Sequence, residues 1–192
     1  MLAFIAIQAL APIPYWRELH PLIIHFPIVL LLVAPLFIVA GTVMKPGKGR
    51  PFLIAALALM LLGTGSAFLA VSTGEAAGEV AEGSAAVSAV LEHHEDLAHT
   101  TQIVFTVLSF IFATMLFLPR LLKREMSSAA LRVLLAAFLL FYAAGAVILV
   151  NTAHNGGRLV YEFGAHAGIA PTSQAASEPK PPTPVDASAE EP

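Results

Sequence analysis

Seven histidines are the residues of this chain best suited to chemistry, and all of them lie on one side of its apolar runs. Imidazole nitrogens bind haem iron, zinc and copper. The chain has no cysteine, so thiolate metal sites, iron–sulfur clusters and covalent c-type haem are excluded. A metal or cofactor must therefore be held by histidine, carboxylate or methionine. The histidines are His20, His25, His93, His94, His99, His154 and His166.

The composition predicts an integral membrane protein. Hydrophobic residues make up 57% of the chain, charged residues 12%, and the mean hydropathy is +0.79. Four apolar runs are long enough to cross a bilayer core of about 30 Å at about 1.5 Å per helical residue. We therefore expect an all-α, four-helix membrane bundle with spans at about 21–44, 51–73, 99–118 and 130–151.

The two ends of the chain differ from this membrane domain. Residues 1–17 contain prolines and interfacial aromatic residues, which favours an N-terminal segment lying at the headgroups. Residues 170–192 consist largely of proline, alanine, serine and acidic residues, which is typical of a disordered tail. The membrane domain is accordingly expected to cover residues 18–169.

The distribution of charge predicts the topology. Lysines and arginines flank the connections between spans one and two and between spans three and four, whereas the connection between spans two and three has six carboxylates and no basic residue. Basic loops face the cytoplasm. Both termini and the acidic connection are therefore expected on the outer side, the periplasm of a bacterium, in a multi-pass protein of the cytoplasmic membrane.

The third helix is expected to project above the membrane. From Ser84, which can serve as an N-cap, the chain runs into span three without glycine or proline. Its helical periodicity turns His94 and His99 towards the other helices and leaves His93 in solvent. Span two carries a stripe of small residues, which admits either a neighbouring helix or a flat ligand. The stripe is Ala56, Gly63, Ala67, Ala70 and Gly74.

Four segments together resemble the uncharacterised bacterial membrane proteins known as domain of unknown function 2231. They are "LHPLIIHFPIVLLL", "STGEAAGE", "EHHEDLA" and "HNGGRLVYEFGAHAG", and the resemblance covers roughly residues 18 to 169. It implies a four-span bundle, sometimes associated with cytochrome c-like modules, and it assigns no activity. The resemblance carries over His25, through "HFP", better than His94 or His154.

Histidines gathered at one membrane face suit b-type haem, which needs two axial nitrogens from facing helices and a flat apolar slot. His25 with His94 or His99 is the simplest pair, and His154 could complete a second pair or hold a propionate. Arg17 and Arg158 are placed to meet propionates. The remaining histidines, His20, His93 and His166, are expected among headgroups.

Two other classes of function stay open from the sequence. A non-haem site for copper, zinc or iron would use Glu75 and Glu95 with His94, His99 and His154. A structural anchor of a larger membrane complex would need only interhelical hydrogen bonds. Motifs of hydrolases, metalloproteases and nucleotide-binding proteins are absent, and the few basic residues do not suggest nucleic-acid binding. A stand-alone enzyme is not expected.

The sequence thus predicts a membrane electron-transfer subunit with its redox centre at the outer face. No histidine lies in the cytoplasmic halves of the spans, so an electron would not cross the bilayer through this chain. Expected partners are a periplasmic c-type cytochrome, a quinol or other respiratory-complex subunits. The acidic connection and tail would attract a basic partner.

Reporter fusions test the topology. A reporter that works only in the cytoplasm should be active when fused at Lys48 or Lys123 and inactive when fused after His154, because basic loops stay inside. The reverse pattern would contradict the topology.

Overall fold

The computed structural model describes residues 15–45, 48–81, 85–123 and 127–164, and every regular element in these ranges is helical. A 3₁₀ turn at Trp16–Leu19 leads into α1 (His20–Ile23) and α2 (His25–Val43), which together form the first span. The others are α3 (Arg50–Ala81), α4 (Ala85–Leu121) and α5 (Ser128–Tyr161). The first fourteen residues of the expected interfacial segment, Ser84, His166 and the expected tail 170–192 lie outside the described residues.

Four helices are long and apolar enough to cross a membrane, which confirms the predicted all-α bundle. Large apolar side chains point outwards along their middles, among them Leu36, Phe110 and Leu140 at 65%, 74% and 76% exposure. Such an outer surface suits lipid. The 37 residues of α4 extend over about 55 Å, well beyond a 30 Å hydrocarbon core, as expected for the third helix. The side on which the termini lie stays a prediction.

The helices are arranged around the bundle in the order α2, α3, α4, α5. Each packs on its two neighbours, and α2 makes no close backbone contact with α4, nor α3 with α5, within the described ranges. The first and third spans are therefore diagonally opposite. A side chain from α1 or α2 and one from α4 can approach the bundle axis from opposite sides.

Aromatic rings fill the centre of the bundle. The rings of Phe105 and Tyr142 meet edge to face at 5.3 Å between centroids, and those of Phe112 and Phe138 stack at 5.0 Å. Phe105, Phe112 and Tyr142 are fully or almost fully buried. These contacts fix α4 against α5 by shape, since lipid tails compete with purely apolar helix surfaces.

A proline in α2 creates a defect that α5 repairs. Pro35 has no N–H, so the carbonyl of Leu31, one turn earlier, loses its helical hydrogen-bond donor. The hydroxyl of Tyr142 donates to this carbonyl at 2.7 Å. Both Leu31 and Tyr142 are buried, where no water could replace the bond. This hydrogen bond joins the first and fourth spans.

The entry to the first span determines which histidine faces inward. Pro27 removes the N–H that would bond the carbonyl of Ile23, and the helix is interrupted at Ile24 between α1 and α2. At about 100° per residue, positions 20 and 25 lie about 140° apart around the helix. His20 is half-buried, whereas His25 is exposed.

A double-mutant cycle tests the repair of α2. Tyr142→Phe should lower the free energy of unfolding by about 1–2 kcal/mol, because it leaves a buried carbonyl without a donor. In a Pro35→Ala background the same change should cost clearly less, because the alanine supplies the N–H that proline lacks. The measurement is thermal unfolding in detergent, and equal costs in both backgrounds would contradict the interpretation.

Candidate functional site

A cavity of about 450 Å³ opens at the end of the bundle where α1 and α4 begin and α3 and α5 end. All four spans contribute to it. Its titratable side chains are His20, Glu75, His94, Glu95 and His99. Its other walls are small or apolar, formed by Pro21, Ala70, Val71, Gly74, Ala77, Gly78, Leu91, Ala98, Gly156, Leu159 and Val160.

His20 is held against α3 by two features. Its Nδ1 lies 2.9 Å from the carbonyl oxygen of Ala70 and 3.3 Å from the hydroxyl of Thr73. The ring also packs on Gly74, where a Cβ would come within 2.9 Å of Cε1. Because a carbonyl oxygen can only accept, Nδ1 of His20 carries the hydrogen.

His94 is held against α5 in the same way. Its Nδ1 donates to the carbonyl oxygen of Thr152 at 3.0 Å, and a Cβ at Gly156 would come within 2.9 Å of Cε1. The hydroxyl of Thr152 lies 2.9 Å from that of Thr101 and donates to the carbonyl of Leu97 at 3.1 Å. These bonds fix the register of α4 against α5 next to the His94 imidazole.

The two histidines thus repeat one arrangement on two helix pairs. In each case the accepting carbonyl lies four residues before the glycine, so one turn of helix supplies both the hydrogen-bond acceptor and the flat surface for the ring. A donating Nδ1 leaves Nε2 as the lone-pair nitrogen of a neutral imidazole. Among the described residues we find no hydrogen bond to either Nε2. This is the orientation in which proteins present histidine to a metal.

The remaining polar residues of the cavity lie at its rim. His99 Nε2 approaches Glu75 Oε1 at 3.3 Å, with both side chains about half exposed, at 50% and 54%. This contact joins α3 to α4. Glu95 packs beside Gly78, where a Cβ would come within 2.9 Å of its Oε1. His94 and His99, the two histidines expected to face the other helices, both line the cavity. His94 lies deep in it and His99 lies at its edge.

Other candidate residues lie away from this cavity. His25, His93 and His154 are exposed and do not line it. Arg158 donates to Glu162 at 3.0 Å and to the side chain of Asn155 at 3.5 Å. Arg17, three residues before His20, has a buried Nε without a hydrogen-bond partner among the described residues.

His20 is the cavity residue that the sequence interpretation assigned to the headgroups. A signal for it was present, because the small-residue stripe of α3 ends at Ala70 and Gly74, the positions on which this ring packs. The stripe admits close approach along its length, since a Cβ at Gly63 would come within 2.8 Å of the Leu31 side chain. Helical phase would then have favoured His20 over His25.

Two adjacent glycines test the His94 arrangement. Alanine raises helix propensity by up to about 1 kcal/mol at either position. A Cβ at Gly157 meets nothing within 4 Å, whereas one at Gly156 would displace the His94 ring. Gly157→Ala should therefore leave thermal stability unchanged or raised, and Gly156→Ala should be less stable than Gly157→Ala by about 1–2 kcal/mol. His94→Ala should remove this difference. Equal stability of the two alanine variants would contradict the packing.

The chain is similar to a known family of membrane proteins. No curated protein and no solved structure matches it. Residues 17–168 match the model of one family, described as predicted membrane protein (DUF2231). This range contains every residue of the cavity and all of the four spans except Trp16, the first residue of the first span. The chain belongs to the DUF2231 family of membrane proteins.

Proposed function

We propose that this protein is a membrane-anchored electron-transfer subunit that binds b-type haem between His20 and His94. The observation that carries the proposal is the pair of imidazoles on diagonally opposite helices, each held by an Nδ1 hydrogen bond to a carbonyl and each lining the same cavity. Axial ligands from facing helices are the usual way in which a helical bundle holds a cofactor. The sequence predicted His25 as one ligand, but His25 does not line the cavity, so His20 takes its place in the proposed pair.

The residues around the pair fit a flat, largely apolar group. The volume of about 450 Å³ lies within the range of small-molecule sites, roughly 300–1,000 Å³. Ala77 of α3 and Ala98 of α4 line the cavity with small side chains, and Leu91 and Leu159 supply apolar walls. His20 and His94 would supply two imidazole nitrogens, which suits a metal whose remaining ligands belong to the cofactor itself.

The donor set favours haem over a bare metal ion. Within the ranges that the structure describes, no group of three or more histidine, aspartate or glutamate side chains is arranged to hold a metal ion. Protein sites for zinc typically use three or four such ligands. The copper, zinc or iron alternative, with Glu75 as a ligand, therefore has less support, since the ion pair that Glu75 forms in the described part of the chain is with His99 at the rim.

Haem held by two imidazoles would supply reversible one-electron transfer. The chain's own residues would fix its orientation and surroundings. Carbonyl hydrogen bonds keep both imidazoles in the Nδ1–H tautomer and increase the basicity of Nε2. The buried, unpartnered Nε of Arg17 supports an anionic group, such as a propionate, near the entry of the first span. Arg158 is a second candidate at the end of α5.

Acidic residues surround this end of the bundle and would attract a basic electron-transfer partner. They are Glu18, Glu75, Glu79, Glu92, Glu95, Asp96 and Glu162 in the described ranges. A small c-type cytochrome or another basic protein would be steered to them by long-range attraction. A quinol in the adjacent leaflet is the alternative donor.

A visible spectrum of the purified protein tests haem binding. Protein produced with an ample haem supply should show a sharp low-spin Soret band and split α and β bands after reduction by dithionite. His20→Ala and His94→Ala should each abolish the low-spin bands, because each would remove one of the two imidazoles proposed to hold the haem. Added imidazole should partly restore them in His20→Gly and His94→Gly.

Exposed histidines provide matched controls. His25→Ala and His93→Ala should leave the spectrum unchanged, since neither lines the cavity. A colourless preparation would contradict the proposal. Stoichiometric copper, zinc or iron in that preparation would favour the metal site, and a folded, metal-free protein would favour a structural anchor.

A further inference from the structure

A second cavity, of about 780 Å³, lies at the opposite end of the bundle. It is formed where α2 and α4 end and where α3 and α5 begin, so all four spans contribute to its wall. The site proposed for haem is not involved, because the two cavities share no residue.

Basic side chains dominate the mouth of this cavity. Two come from the first connection and the start of α3, two from the end of α4, and one from α5. No carboxylate lines it, and every described acidic residue belongs to the other end of the bundle. The one acidic residue that the sequence places nearby, Glu125, lies outside the described residues. The five basic residues are Lys45, Arg50, Arg120, Lys123 and Arg132.

These cations have little compensation from the protein itself. One guanidinium nitrogen of Arg120 donates to the carbonyl of Leu116 at 3.0 Å, and no ion pair forms with any of the five in the described part of the chain. Like charges gathered around one opening repel each other, and the repulsion is relieved by an anion. Lys123 also adopts a left-handed backbone conformation, with φ of 51°, at a position after the helix where glycine is usual.

Behind the cations the cavity is apolar. Leu53, Leu116 and Leu135 are buried in its floor, and Met115 and Leu131 complete the wall. A soluble anion would use only the basic mouth. A molecule with an anionic head and hydrocarbon chains would use both parts, and it is abundant at the membrane interface where these basic residues flank the spans.

We propose that this cavity binds an anionic phospholipid, with its phosphate among the five basic side chains and an acyl chain along Leu53, Leu116 and Leu135. Five cations exceed what one phosphate needs, which favours a lipid with two phosphates. Basic pockets between membrane helices are suited to such headgroups. The lipid would also link the α2–α3 connection to the α4–α5 connection, because the basic side chains around its phosphate come from both, Lys45 from the first and Lys123 from the second.

Native mass spectrometry of the delipidated, detergent-solubilised protein tests the proposal. Phosphatidylglycerol and the bisphosphate lipid cardiolipin should bind and raise the melting temperature, whereas phosphatidylcholine should do neither. Arg50→Gln and Arg132→Gln should each weaken cardiolipin binding roughly fivefold, the effect of about one cation near a phosphate surface. Arg132→Lys, which keeps the charge, should bind within about twofold of the wild type.

Lys48→Gln is the matched control, because Lys48 is exposed at the same end of the bundle but does not line the cavity. It should change binding by less than about twofold. Equal loss in Lys48→Gln and Arg132→Gln would overturn the proposal in favour of unspecific surface attraction. Displacement of cardiolipin by inorganic phosphate or pyrophosphate would overturn it in favour of a soluble-anion site, and equal binding of phosphatidylcholine would also overturn it.

Discussion

The structure depends on one constraint, which is that a main-chain carbonyl inside a membrane must have a donor. The hydrogen bond from Tyr142 to the Leu31 carbonyl meets this need at the point where Pro35 removes one backbone hydrogen bond from α2. It also places α5 beside α2, and the ring contacts of Phe105 with Tyr142 and of Phe112 with Phe138 place α4 beside α5. The order of the four helices follows from these contacts, and this order makes the first and third spans diagonal.

The same chemistry recurs at the candidate cofactor site. His20 and His94 donate to carbonyls of neighbouring helices, so the residues proposed to bind haem also hold the helix pairs together. The imidazoles are therefore oriented by the fold before any ligand arrives. Such preorganisation reduces the entropy lost on binding. It also means that loss of either histidine alters packing as well as ligation, which is why the ligand-specific spectrum is more informative than stability alone.

Much of this arrangement could be predicted from the sequence, because hydropathy and charge act over whole helices. The four spans, the long third helix, the gathering of histidines at the acidic end and the position of His94 and His99 on the cavity side of α4 follow from run length and helical period. The choice between His20 and His25 depended on a local feature. Span prediction begins the first helix at the apolar run, whereas the chain is already helical at His20, and helical phase then places His25 about 140° away from it. Helical periodicity does not indicate which residue a single imidazole contacts. The packing of His20 on Gly74 and of His94 on Gly156 could therefore be seen only in the structure.

The hydrogen bonds of His20 and His94 join residues that are closer along the chain than the two residues joined by the Tyr142–Leu31 hydrogen bond. His20 and His94 contact carbonyls 50 and 58 residues away, each within one helical hairpin, whereas Tyr142 and Leu31 are 111 residues apart. During synthesis each hairpin can therefore form its own histidine–carbonyl hydrogen bond as soon as its second helix has entered the bilayer. The cavity comes into existence only later, when the finished hairpins meet. A haem captured at that stage would join two preformed halves, and cofactor supply would then influence the yield of assembled protein without affecting the insertion of either half.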